Sequence, residues 1–447
     1  MNHSTPRNRK PKGIPLLGLV LCAAAMVPLH ASETPTLDAE ASDPAKLGWM
    51  VGSPPPADRR LRFDDGSYFQ FPAMRWSVSH FRQLMPTVNV SRGVGAPTPL
   101  PRALRRDIDA LRFVPIGAAA PMTWAESLAA NYTDGIVVLH HGRIVYERYF
   151  GVLNERGQHG AMSVTKSVTG TLGAMLVAEG QLDASKRVAD YVPELANSAF
   201  GNATVRQVLD MTTGLKYSED YADPNAEVWA YSQAGSPLPK PKDYTGPRSY
   251  YEYLQTVQPE GPHGTAFAYK TVNSDALGWI IARATGRHVA DLLSERIWSR
   301  LGAEQDAYMT VDSTGTPFAG GGLNTGLRDL ARFGEMLRLN GRFNGQQIIP
   351  KAVVDDIRRG GHRDAFAKAG YSLLPGWSYR NMWWVTHQAN NAFMARGVHG
   401  QRIYVNPQAA VVIVRYASHP VASNAANDPT TLPAFDAVAK HLMRQPR

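Results

Sequence analysis

Apolar positions fall into two patterns along the chain. Near residue 135 and again beyond residue 380 they form short runs rich in Val, Ile, Tyr, Phe and Trp, the signature of buried strands. Between these regions they recur at helical spacing. Residues 135–140 and 143–150 read as two strands joined by a tight turn at His141 and Gly142. A long apolar helix opens near Ser163, continues through Leu172, Met175, Leu176 and Val177, and stops at Gly180. Gly170 and Gly173 on that helix leave room for a second backbone. Helical patterns also cover residues 104–111, 275–284, 289–301 and 327–339, whereas 217–263 reads as a long loop rich in Tyr and Pro. Strand character returns at 381–385, 392–396, 401–405 and 411–415, and 431–443 closes the chain as an amphipathic helix.

This order predicts an α/β (α+β) fold. One antiparallel sheet is assembled from both chain ends, with flanking helices and a mainly helical insert. Residues 101–182 and 381–447 then make the sheet domain and 183–380 the insert. Residues 32–100, broken by Gly and Pro, form a leader and wrap whose Trp76 and His80 are expected to pack rather than react.

Composition adds a compartment. Of 47 basic residues, Arg7, Arg9, Lys10 and Lys12 precede any acid, and an apolar run from Ile14 to Val27 follows them. A basic start, a short apolar stretch and small residues near Ala31 make a secretory signal over residues 1–31. The expected protein is exported, to a bacterial periplasm. A lipid-modified Cys22 is the alternative, disfavoured by the large Leu21 before it. Cys22 is the single cysteine, so processing removes disulfides, thiolate catalysis and cysteine-bound zinc from consideration. No later run is long and apolar enough for a membrane helix, and the remaining charge is a mild basic excess without the stripe that nucleic acid requires. His140 and His141 sit at a turn without a carboxylate cluster, so no metal or other cofactor is implied.

Ser163 and Lys166 carry the candidate chemistry. Three residues apart, they share one helix face a turn from each other. A serine hydroxyl attacks poorly until a neighbour takes its proton, and a desolvated lysine can do so. The helix start adds free N–H groups that favour developing negative charge. Lysine ordinarily titrates near 10.4 and needs help to act near neutrality. Tyr269, just ahead of the next helix, is the candidate partner. Ser-x-x-Lys is frequent by chance, so the motif carries weight only with company.

The company is a set of ordered matches: Ser163-x-x-Lys166, then Thr204 through Leu215, Tyr269-x-Thr271 followed by Leu277 and Gly278, Gly320–Gly321–Gly322–Leu323, and Gly397–Val398–His399–Gly400. From about residue 135 onward the chain resembles the serine β-lactamase-like hydrolases, which include class C β-lactamases, D,D-peptidases, esterases and 6-aminohexanoate-dimer hydrolase. The resemblance implies that Ser163 attacks a carbonyl to form an acyl-enzyme, with Lys166 and Tyr269 moving the proton. It implies an oxyanion site between the N–H of Ser163 and a late-strand N–H, assigned to Val398. Thr271 stands where class C β-lactamases have Asn, and no Lys-Thr-Gly or His-Thr-Gly triplet occurs near Gly397. The pattern is therefore closer to the 6-aminohexanoate-dimer hydrolase and esterase subgroup, in which a loop tyrosine, matched here by Tyr221, helps bind the scissile amide. Thr271, Asn273 and His399 are further expected substrate-binding residues, although Asn273 also suits a helix cap and His399 strand-end packing. The implied partner is a small amide or ester. The rival readings are a D,D-peptidase or weak β-lactamase, and a penicillin-recognising module without catalysis.

Overall fold

In the computed structural model, which describes residues 36–444, the two chain ends meet in a seven-stranded antiparallel sheet. Its strands are β1 (Thr133–His140), β2 (Arg143–Tyr149), β3 (Ser378–Arg380), β4 (Trp383–Val385), β5 (Phe393–Gly397), β6 (Gln401–Asn406) and β7 (Val411–Ala417), in the spatial order β3-β4-β5-β6-β7-β1-β2. The closure is the β7–β1 pairing, with Val411 opposite His140 and Val414 opposite Val137. The predicted hairpin turn is present, and His141 and Gly142 both take the left-handed backbone a tight hairpin needs, with φ of 49° and 74°.

Helix α1 (Val164–Ala178) is buried along nearly its whole length, as its apolar circumference requires. A Cβ on Gly170 would lie 2.3 Å from the Asn381 carbonyl oxygen, so the missing side chain is what lets α1 meet the turn before β4. Helices α2 (Val272–Thr285) and α3 (Leu327–Arg338) fall close to their expected positions, and α4 (Asp428–Met443) begins three residues earlier than its apolar pattern suggests. A smaller four-stranded sheet joins Thr87–Val90, Ala307–Thr310, Leu323–Gly326 and Gln158–Gly160.

Two expectations need correction. Residues 104–111 form turns, not a helix. Their acids are engaged elsewhere: Asp107 with Arg105 and His441, Asp109 with Tyr146 and Arg148. The stretch read as a loop contains two helices, Glu227–Ala234 and Tyr250–Thr256. Tyr231 packs against Tyr250 and Tyr253 at centroid distances of 5.2 Å, so its tyrosines form a core.

The early segment makes contacts with later parts of the chain. Arg75 is buried, bonded to Ser42, Ser418 and Asp134. Trp76 and His80 stack on each other at 3.9 Å, the packing role their sequence suggested. The expected secretory signal and Cys22 lie outside the described residues. No helix among the described residues is long and apolar enough to cross a membrane.

Candidate active site

Ser163 stands immediately before α1, and Met162 ahead of it holds a left-handed φ of 47°, a costly conformation for a residue with a side chain. One helical turn on, Lys166 is 1% exposed. Its ammonium donates to the Ser163 hydroxyl at 2.9 Å and to the Gly320 carbonyl at 2.7 Å. Gly320 opens the glycine run noted in the sequence. A side chain there would strike Thr271 at 2.5 Å, so only glycine lets this carbonyl approach the lysine. Tyr269 completes the group: its ring centroid lies 5.2 Å from Lys166 Nζ, and the neighbouring Ser163 hydroxyl acts to lower its phenol.

Burial sets the electrostatics. It lowers Lys166 from 10.5 to about 8, against the attraction of Glu219 and Asp275. The same burial raises both carboxyls. Glu219 accepts the N–H of Thr271 at the start of α2. Asp275 accepts the Ala319 N–H at 2.9 Å and the Tyr231 hydroxyl, which fixes the residue before Gly320. Burial and Glu219 raise the Tyr269 phenol, while Ser163 and Arg396 act to lower it.

The other expected residues divide. Tyr221 is 38% exposed, and its phenol feels both Glu219 and Tyr269. Thr271 is buried with its N–H on Glu219. Asn273 is fully buried and its amide is committed to the Thr213 hydroxyl at 2.7 Å and the Lys270 carbonyl at 3.1 Å, so it secures the start of α2 instead of facing the cleft. Val398 follows β5 and packs with Met162, beside Ser163. A Cβ on Gly397 would come 2.9 Å from the Ala161 carbonyl, which brings the strand end against the Ser163 turn. His399 has a left-handed φ of 61° and is buried, its ring bonded to the His419 carbonyl at 2.7 Å, and burial lowers it to about 4, so it is neutral. Phe69 of the wrap meets His399 edge-on at 5.4 Å.

Glu219, Asp275, Arg396 and Phe69 are the neighbours that sequence reasoning missed. No group of three or more His, Cys, Asp or Glu is placed to hold a metal among the described residues. The arrangement offers a serine oxygen, a buried amine and a phenol in mutual reach, the parts acyl transfer needs.

The Beta-lactamase family profile matches residues 125–434. The chain belongs to the beta-lactamase family. It is 35% identical over 356 residues to the 6-aminohexanoate-dimer hydrolase of Paenarthrobacter ureafaciens, covering 79% of this chain and 88% of that one. A putative 6-aminohexanoate-dimer hydrolase from Bacillus anthracis superposes with a TM-score of 0.78 at 33% identity, covering 87% of this chain and all of that one. A family VIII carboxylesterase shares the fold alone, with a TM-score of 0.52 at 18% identity over 71% of this chain and 96% of its own. The protein is thus a beta-lactamase-fold serine hydrolase related to 6-aminohexanoate-dimer hydrolase, with the sheet and helix arrangement of that fold.

Proposed function

We propose that the protein cleaves a linear amide or ester through an acyl-enzyme on Ser163. The observation that carries this reading is the 2.9 Å approach of a buried Lys166 amine to the Ser163 hydroxyl, with the Tyr269 ring centroid 5.2 Å from the same amine. In its neutral form the Lys166–Tyr269 pair takes the serine proton as the oxygen attacks the substrate carbonyl. We treat the pair as one titrating unit, so the proton is assigned to the pair and not to either member. The developing oxyanion is held by the N–H of Ser163 and that of Val398, with the positive end of α1 behind them. Tyr269 then returns the proton to the leaving nitrogen or oxygen. Water attacks the acyl-enzyme by the reverse route and frees the acid.

Open-chain substrates are favoured over β-lactams. With Gly397 as the glycine of a Lys-Thr-Gly triplet, the lysine place is held by the buried Ala395, so that strand position offers no cation to a β-lactam carboxylate. Export to the periplasm, read from residues 1–31, belongs to the same proposal. The deciding experiment is intact-mass spectrometry of the protein mixed with p-nitrophenyl esters, linear amides and penicillins. An acyl adduct that maps to Ser163 and vanishes in Ser163→Ala is expected with the esters and amides. Turnover persisting in Ser163→Ala would overturn the mechanism, and stable labelling by penicillin alone would replace it with a D,D-peptidase.

A further inference from the structure

Three arginines stand side by side across the late strands. Arg396 on β5 is directly opposite Arg402 on β6, and Arg402 is opposite Arg415 on β7. Like charges in facing positions repel, and all three side chains are buried. One carboxylate, Asp428 at the start of α4, serves two of them, through its Oδ2 to Arg396 and its Oδ1 to Arg402 at 3.0 Å. Arg415 forms no ion pair among the described residues; it bonds the Gly400 carbonyl at 3.0 Å. The N-terminal end of α4 adds further positive potential. The row therefore keeps an excess of positive charge in a dry interior, which costs stability unless something uses it.

Arg396 is the member that faces the reacting group. Its guanidinium carbon lies 4.6 Å from the centroid of Trp384, while its Nε and Nη1 have no hydrogen-bond partner. Trp384 in turn neighbours Tyr269, with the two ring centroids 5.5 Å apart and tilted by 33°. Lys166 Nζ closes the series 5.2 Å from the Tyr269 centroid. Two cations thus bracket two aromatic rings, in the order Arg396, Trp384, Tyr269, Lys166. The groups of opposite tendency around Tyr269 are Glu219 from the loop and, through Lys166, Asp275 from α2; Tyr221, Tyr371 and Tyr379 are the remaining titratable neighbours.

We propose that Arg396 is a positioning residue for acyl transfer: held in a charge-rich row and stacked behind Trp384, it supplies the positive field that favours the deprotonated, base form of the Lys166–Tyr269 pair. The inference rests on the reading of Ser163, Lys166 and Tyr269 as the reacting group. Removing a nearby cation makes any proton on the pair easier to hold, so the direction of the effect is the same whichever member carries it.

The test is the pH profile of kcat/KM on a p-nitrophenyl ester for the native protein, Arg396→Gln, Arg396→Lys and Tyr269→Phe. Arg396→Gln is expected to move the acidic limb upward by about one pH unit, the size of a single charge interaction across one ring at moderate dielectric. It then loses about ten-fold at neutral pH and regains native activity on the alkaline plateau. Arg396→Lys, which keeps the charge without the planar fork, is expected to hold the native limb. An unshifted limb in Arg396→Gln, or a limb in folded Arg396→Lys displaced as far as the charge loss would move it, overturns the proposal in favour of packing. If Arg396→Gln does not fold, the folded Lys variant still decides. Native turnover and profile in Tyr269→Phe would instead defeat the reading of the reacting group, whatever Arg396 does.

Discussion

Lys166 reaches the Ser163 hydroxyl at 2.9 Å from a position that is almost sealed from solvent. A lysine so placed loses the hydration that favours its charged form, and it is lowered to about 8. In the proposed mechanism the neutral amine is the form that accepts the serine proton. Activity is therefore expected to be low at acid pH and to rise through about pH 8, as measured by kcat/KM on an ester across the neutral and alkaline range. Lys166→Arg keeps the positive charge but cannot become a base, and it should lose about 10²–10⁴-fold, the usual contribution of general base catalysis. A flat profile in the native protein would contradict this role.

Asp275 works in the opposite direction. It attracts a proton to Lys166, and it also anchors Ala319 and Tyr231 beside the Gly320 carbonyl. Asp275→Asn is expected to shift the rise in activity to lower pH, because the lysine is held charged less strongly. Asp275 is itself raised by burial, so the shift appears only where its carboxyl is ionised. The same variant should lose about 1–3 kcal/mol of stability from weakened buried hydrogen bonds, read from the urea midpoint.

The Ser163–Lys166 pair was legible because side-chain identity and helical spacing carry it. The strands after residue 380 were legible for a related reason: β-branched and aromatic runs leave few alternatives. The Gly320 carbonyl was not, since a backbone oxygen has no residue type to announce it. Asp275 reads in sequence as an ordinary acid in a helix's first turn, a place where such residues are favoured anyway. Arg396 reads as a polar strand position, and only the register with Arg402 and Arg415 reveals that it is buried. Asn273 went the other way. Its position beside Tyr269 suggested a ligand contact, but it serves the start of α2.

Gly170 offers a structural test. An added methyl would lie 2.3 Å from the Asn381 carbonyl oxygen and 2.8 Å from its carbonyl carbon, both backbone atoms. On the same helix, a methyl at Gly173 would meet only side-chain ends, Leu277 at 3.1 Å and Leu209 at 3.3 Å. Gly170→Ala is expected to cost at least the ~1–3 kcal/mol typical of overpacking, and Gly173→Ala less. Since α1 carries Lys166, Gly170→Ala should also depress turnover in the protein that remains folded. Equal urea midpoints for the two variants would show that α1 can shift away from the turn freely.

Tyr221 is expected to separate amides from esters. Its ring lies edge-on to Trp229 at 6.0 Å and is partly open to solvent, and Glu219 and Tyr269 both act to raise its phenol. A phenol at this rim can pair with the scissile N–H of an amide, whereas an ester presents no such donor. Tyr221→Phe preserves the ring and its packing but leaves that N–H without a partner, a loss worth about ten-fold when roughly 1.4 kcal/mol of hydrogen bonding is removed. Amide kcat/KM should fall by that factor while ester kcat/KM changes little. The comparison uses a matched amide and ester of the same acyl group, so that acyl-side contacts cancel. Parallel losses on the two substrates would assign Tyr221 to packing, and an unchanged amide rate would remove it from the site.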